Sequence, residues 1–114
     1  MTKRVYIAGP VAGCDLDETI ERFASLQTKL EKEGHTVINP VAIIQEVNFA
    51  RFMAGKVELS DDNTKHRRVI LSHCIFSLLR YADELHLLPG WQESAGSQAE
   101  KKVAEAIGLP VIEH

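Results

Sequence analysis

Cysteine, aromatic residues, excess positive charge and long apolar runs are all scarce in this chain, and each scarcity removes a class of protein. Two cysteines, Cys14 and Cys74, are too few for a disulfide framework and suit a reducing compartment. Thirteen basic residues against sixteen acidic ones leave a net charge of −3. Proteins that grip a phosphate backbone carry a basic surplus instead, so a nucleic-acid polymer is not the expected partner. No apolar run approaches the ~20 residues of a membrane span. The start "MTKRVYIAGP" lacks the apolar core of a signal peptide. The five histidines have no ligand spacing: His66 and His73 lie two helical turns apart, which is too far for a metal site. The expectation is a cytoplasmic protein without membrane contact or bound metal.

What remains is an ordinary globular composition, 45% hydrophobic and 25% charged over 114 residues. That length fits one domain, residues 1–114, able to hide roughly two-thirds of its unfolded surface. "RVYIA" (4–8) is a short run of β-formers closed by "GP", and reads as a buried strand. From Asp17 to Glu33 the residues Ile20, Phe23, Leu26 and Leu30 recur at helical spacing, with Asp15 or Asp17 as the start and Gly34 as the cap. "HTVINP" (35–40) is a second strand that Pro40 ends. Residues 41–62 show no sustained period, and only "EVNFARFMA" suggests a helical turn or two. Residues 63–82 read as a helix with so broad an apolar face (Val69, Ile70, Ile75, Phe76, Leu78, Leu79) that burial on two sides is expected, by the sheet and by another subunit. "DELHLL" (83–88) is a third strand, 96–107 a further helix, and "GLPVIEH" a last strand. The order β-α-β-(mixed)-α-β-α-β calls for a parallel sheet of about four to five strands with helices on both faces, a Rossmann-like (flavodoxin-like) α/β fold. Right-handed crossovers put the loops 8–13, 39–42 and 89–97 on the edge where such sheets bind ligands.

The loop "PGWQESAGS" (89–97) carries the most chemistry. Gly90 and Gly96 permit unusual backbone, and Ser94 and Ser97 suit either capping the next helix or binding an oxyanion. Free N–H groups at that helix start favour an anion, although a Gly/Ser junction also serves as plain punctuation. Glu100 follows about one turn on. It either complements the helix dipole at the surface or borders the pocket, ionised by the same N–H field and ready to act as nucleophile or electrostatic stabiliser. Tyr6 lies inside the first strand, where it packs or else turns its hydroxyl to a carboxylate. Trp91 is a stacking platform for a base or a plug on the loop. Asp83 is read as a cap near the helix end or half of a buried ion pair.

Together "VYIAGPVAG", "GHTVINP" and "ADELHLLPGWQESAGSQAEKKVAEAIGLPV" resemble the nucleoside 2-deoxyribosyltransferase-like superfamily, and within it most closely the DUF4406 branch. The resemblance covers nearly the whole chain except residues 41–72. It implies a glutamate that attacks the anomeric carbon of a nucleoside or nucleotide, displaces the base, and passes the sugar to water or to another base. By that resemblance Glu100, four residues after Gly96, is the nucleophile and Tyr6 orients it. Gly9 lets the substrate approach, while Ser94, Gly96 and Ser97 cradle phosphate or sugar, with Pro10 and Trp91 also lining the site. Ser94 leans the reading towards a nucleoside 5′-monophosphate, whereas Pro10 stands where the hydrolases have a small polar residue. No cofactor is implied, and relatives that share a site across subunits imply a homodimer or higher homo-oligomer. One departure is plain: between Asp62 and Asp83 there is no acidic residue to protonate the leaving base. His73, Asp61 or Asp62 would have to substitute, or the chain binds nucleotides with little or no turnover.

Overall fold

A computed structural model describes residues 2–11, 14–53 and 64–114, with 47–53 and 64–67 described by backbone alone. Strand β1 (Arg4–Ala8) is buried from Val5 onward and lies at the centre of the sheet. It pairs in parallel with β2 (Thr36–Ile38) on one side and β3 (Glu84–Leu87) on the other. Strand β4 (Val111–Glu113) adds in parallel to β3. Among the described residues the sheet therefore has four strands in the order β2-β1-β3-β4, the doubly wound Rossmann-like arrangement that the element order predicts.

Side-chain alternation along β1 splits the core in two. Val5 and Ile7 face helix α1 (Leu16–Lys32), packing with Phe23, Leu26 and Leu30. Tyr6 and Ala8 face the opposite layer, helices α3 (Thr64–Tyr81) and α4 (Ala95–Ala106), with Cys74, Leu78 and Ala104. α1 forms because its apolar positions recur at three- and four-residue steps and because Asp15 caps it, accepting the Glu18 amide at 3.0 Å. It ends where Gly34 adopts φ +92°, a left-handed conformation that favours glycine.

Helix α2 (Pro40–Met53) is longer than the one or two turns expected from sequence. Pro40 opens it, and the Asn39 carboxamide oxygen accepts the Val41 amide at 2.9 Å. Its missing period has a physical cause: Val41 joins the α1-side cluster while Ile43 packs on the other. A helix that serves both layers shows no single apolar stripe.

α3 has one of its apolar sides covered within the chain. Cys74 and Leu78 are buried against the sheet, but Phe76 is 58% and Leu79 51% exposed, so burial is one-sided within the chain. No helix among the described residues is long and apolar enough to cross a membrane.

Candidate active site

The two Gly/Pro loops interlock at the C-terminal edge of the sheet. The Leu88 amide donates to Ala8 O at 2.8 Å, and a Cβ on Gly9 would come within 2.9 Å of Leu88 Cβ. Gly9 is thus required for close packing of β1 and β3 ends, whatever it does for a ligand. Gly90 sits at φ +88°, where a Cβ would also press on Pro10 at 3.2 Å. Gly96 differs, since among the described residues a Cβ there would meet only Leu71, at 4.0 Å.

Between these loops and α4 runs a 3₁₀ turn, Trp91–Glu93. The Trp91 indole N–H donates to Glu113 at 2.8 Å, and Lys101 Nζ lies 5.4 Å from the ring centroid. The ring is half-buried against the α3/α4 cluster, so the structure places Trp91 as a plug between β4 and α4. Ser94 caps α4, its hydroxyl accepting the Ser97 amide at 3.2 Å.

From this cap the face Ser97, Glu100, Ala104 turns inward at helical spacing, all three buried. Glu100 is only 6% exposed, while Tyr6, approaching from β1, is fully buried. The Tyr6 hydroxyl, Ser97 Oγ and Glu100 Oε2 are all buried without a hydrogen-bond partner among the described residues. Unpaired buried polar atoms cost on the order of 1–3 kcal/mol each, so three together are a site prepared for something they can bond.

Their electrostatics correct one expectation from sequence. Glu100 stands in the second turn of α4, beyond the terminal N–H field, and desolvation dominates: burial pushes its carboxyl from 4.5 up to about 7, with the Tyr6 hydroxyl pulling the other way. Tyr6 is in turn held well above its usual range, first by burial and then by the charges of Glu100 and Cys74. The Cys74 thiol is pushed up to about 11, again mainly by burial. The three groups are near enough to shift one another, yet the hydroxyl closes a well-formed hydrogen bond to neither neighbour.

The structure thus brings together Tyr6, Ser97 and Glu100, with Ser94 and Gly96 at the helix start above them, and Gly9 and Pro10 across the loop edge. His73 is exposed on the outer side of α3, and its neighbour Cys74 faces inward instead. Asp61 and Asp62 lie outside the described residues. Among the described residues Asp83 makes no ion pair. Its carboxylate is exposed and accepts the Arg4 amide at 2.9 Å, fastening the start of β1.

Sequence reasoning missed two features. Cys74 belongs to the i, i+4 stripe Ile70–Cys74–Leu78, a signal readable beforehand. On the opposite sheet face Lys3, Glu84, His86 and His114 form a chain: Lys3 Nζ to Glu84 at 2.8 Å, Glu84 to His86 Nε2 at 3.1 Å, and His86 Nδ1 to His114 Nε2 at 2.8 Å. Among the described residues no group of three or more His, Cys, Asp or Glu is placed to hold a metal. An open groove of about 590 Å³ runs along α1 beside Leu88 and Pro89, and none of the candidate residues lines it.

Fold and site define an α/β parallel-sheet domain with a carboxylate, a phenol and a thiol buried together beneath its loop edge. The chain belongs to the family described as domain of unknown function DUF4406, whose model matches residues 3–113. No curated protein matches it.

Proposed function

We propose that the chain cleaves or transfers the N-glycosidic bond of a nucleoside or nucleoside 5′-monophosphate, as members of the nucleoside 2-deoxyribosyltransferase-like superfamily do. The observation that carries this reading is Glu100: a buried carboxylate with an oxygen that has no partner among the described residues, near a tyrosine hydroxyl in the same state. A carboxylate so placed is a nucleophile with little water to displace. Glu100 attacks the anomeric carbon as the bond to the base nitrogen breaks, and that nitrogen takes the electron pair and then a proton. The glycosyl ester then passes to water, or to a second base in transfer. Tyr6 orients the carboxylate, and the hydroxyls of Ser97 and Ser94 with the first amides of α4 receive phosphate or sugar. Gly96, without a side chain at the helix start, lets the ligand approach the backbone there. Incubation with a panel of nucleoside monophosphates should release free base, and Glu100→Ala should abolish it. Release that survives that substitution would refute the role of Glu100.

A second reading has its own support. The stretch between Asp62 and Asp83 holds no acidic residue, and His73 points outward. A missing general acid costs about 10²–10⁴ in rate, so the domain would serve as a nucleotide-binding or sensing module. Calorimetry would then show binding of a nucleoside monophosphate without turnover, with affinity kept or improved in Glu100→Gln.

A further inference from the structure

Away from Glu100, the acids and histidines on the other sheet face form a second polar cluster, and β4 joins it to the candidate site. β4 is a three-residue edge strand, largely exposed. Alternation along it sends Glu113 and His114 to opposite faces. On the α3/α4 side Glu113, in register with Leu87, accepts the Trp91 indole N–H at 2.8 Å. On the α1 side His114 Nε2 meets His86 Nδ1, also at 2.8 Å. His86 is buried and gives its other nitrogen to Glu84, which also holds Lys3. Between the two side-chain contacts, the His114 amide donates to Leu87 O at 2.9 Å.

We propose that the end of β4 is a pH-sensitive latch on the turn that leads into the candidate site: when both rings of the His86–His114 pair are protonated, the strand end lifts and Glu113 lets go of Trp91. Donors and acceptors set the condition. Glu84, held below the usual carboxylate range first by Lys3, is charged and only accepts, so His86 keeps its Nε2 proton. Its Nδ1 then faces His114 Nε2, and a bond needs one proton between these two nitrogens. Neutral rings supply it, and so does a pair carrying one extra proton. A second extra proton sets two N–H groups face to face, and attraction becomes repulsion. The surroundings of His114 oppose that proton: burial first, then His86 and Lys29, with Glu33 of α1 pulling the other way. At the far end of the contact chain His35 accepts the Lys3 amide at 3.4 Å. The latch therefore stays shut to below the ordinary histidine value of 6.5 and opens in acid. A short, exposed edge strand can open while the centre of the sheet stays folded. Trp91 is then left with Lys101, 5.4 Å from its ring and itself tied to Glu105, and the turn before Ser94 loosens.

That the latch governs a ligand's access rests on the reading of the site above; the latch itself does not, and its test needs no ligand. Trp91 is the chain's sole tryptophan, so its fluorescence reports on the turn directly. Acrylamide quenching in the intact protein should rise from about pH 7 to 5, with a midpoint below 6.5, while far-UV circular dichroism stays constant. His114→Ala should be quenched at neutral pH as wild type is in acid, and should show no step. His114→Gln, which offers donor and acceptor but takes up no proton, should stay shut throughout. Glu113→Ala cuts the link from its other side and should be quenched freely at every pH. Glu100 itself titrates at about 7, so Glu100→Gln is the control and should keep the step. The proposal is overturned if wild type shows no step, if the step survives in either His114 variant, if it vanishes in Glu100→Gln, or if circular dichroism is lost with it. Nucleoside monophosphate binding, measured alongside, separates the two ideas. A step without binding leaves the latch standing and the site reading refuted, and binding without a step does the reverse.

Discussion

Replacing Glu100 by glutamine should stabilise the protein, and by an amount that depends on pH. In the fold the carboxyl titrates at about 7 against an ordinary 4.5. A lift of that size corresponds to about 3 kcal/mol of unfavourable ionisation. The folded state therefore binds the proton more tightly than the unfolded chain does. Between pH 4.5 and 7 this favours folding increasingly as pH falls, and above 7 the full cost of a buried charge is paid. Glutamine is neutral throughout. Its advantage should be about 3 kcal/mol at pH 8.5, roughly 10 °C in Tm for a domain of this size, and should vanish towards pH 4.5. A buried amide that finds no partner adds a constant offset of about 1–3 kcal/mol, so the slope of the difference between the two proteins is the quantity to test. Urea unfolding of wild type and Glu100→Gln at half-unit steps from pH 4.5 to 8.5 measures it. Parallel curves, or an advantage for glutamine that grows in acid, would refute burial as the dominant influence and restore a carboxylate held charged by the helix start.

Other perturbations follow from the same geometry. Tyr6→Phe removes the buried hydroxyl that would bond the charged Glu100 during reaction, worth about 1.5–3 kcal/mol, and should slow base release roughly 10- to 100-fold while leaving stability equal or higher. The glycines separate packing from binding. Gly9→Ala drives a methyl to within 2.9 Å of Leu88 Cβ and should cost about 1–3 kcal/mol in urea unfolding. Gly96→Ala, with only Leu71 at 4.0 Å among the described residues, should cost nothing and gain up to about 1 kcal/mol of helix propensity. A loss of nucleotide affinity in that stable Gly96→Ala variant would place the ligand against the first turn of α4. On the other sheet face acid should loosen β4. Glu84 is held below the usual carboxylate range, first by Lys3, and that contribution is lost as pH falls through its folded-state value. His114 is also held low, chiefly by burial and then by His86 and Lys29, with Glu33 opposing. Protonation of His114 in the unfolded chain thus erodes stability below about pH 6.5. His114→Ala should flatten that acid limb in thermal melts, and an unchanged limb would show that the histidine pair contributes nothing to it.

Much of the frame is legible in the sequence because local pattern and tertiary role agree there. α1 and α4 each present one stripe to one layer, and β1 is a short run of β-formers closed by Gly-Pro. Where a segment serves two masters the pattern blurs. α2 shares its apolar residues between both cores, and α3 buries Cys74 and Leu78 within the chain while Phe76 and Leu79 stay exposed. At the site the meeting of Glu100 with Tyr6 follows from the family resemblance, which pairs the glutamate after the glycine loop with the first-strand tyrosine. The ionisation of Glu100 does not, because it depends on how much water the surrounding layers exclude. Cys74 is legible as part of the inward stripe Ile70–Cys74–Leu78, but a thiol there carries no sequence signal of a role beyond packing.

Rapid-quench mass spectrometry of the intact protein, mixed with the nucleoside monophosphate that yields most free base, tests the central claim most directly. The account predicts a transient sugar-phosphate adduct that is released by mild base as an ester, maps to the α4 peptide at Glu100, and is absent from Glu100→Gln. An adduct on another residue, or base release that persists in Glu100→Gln, would contradict it.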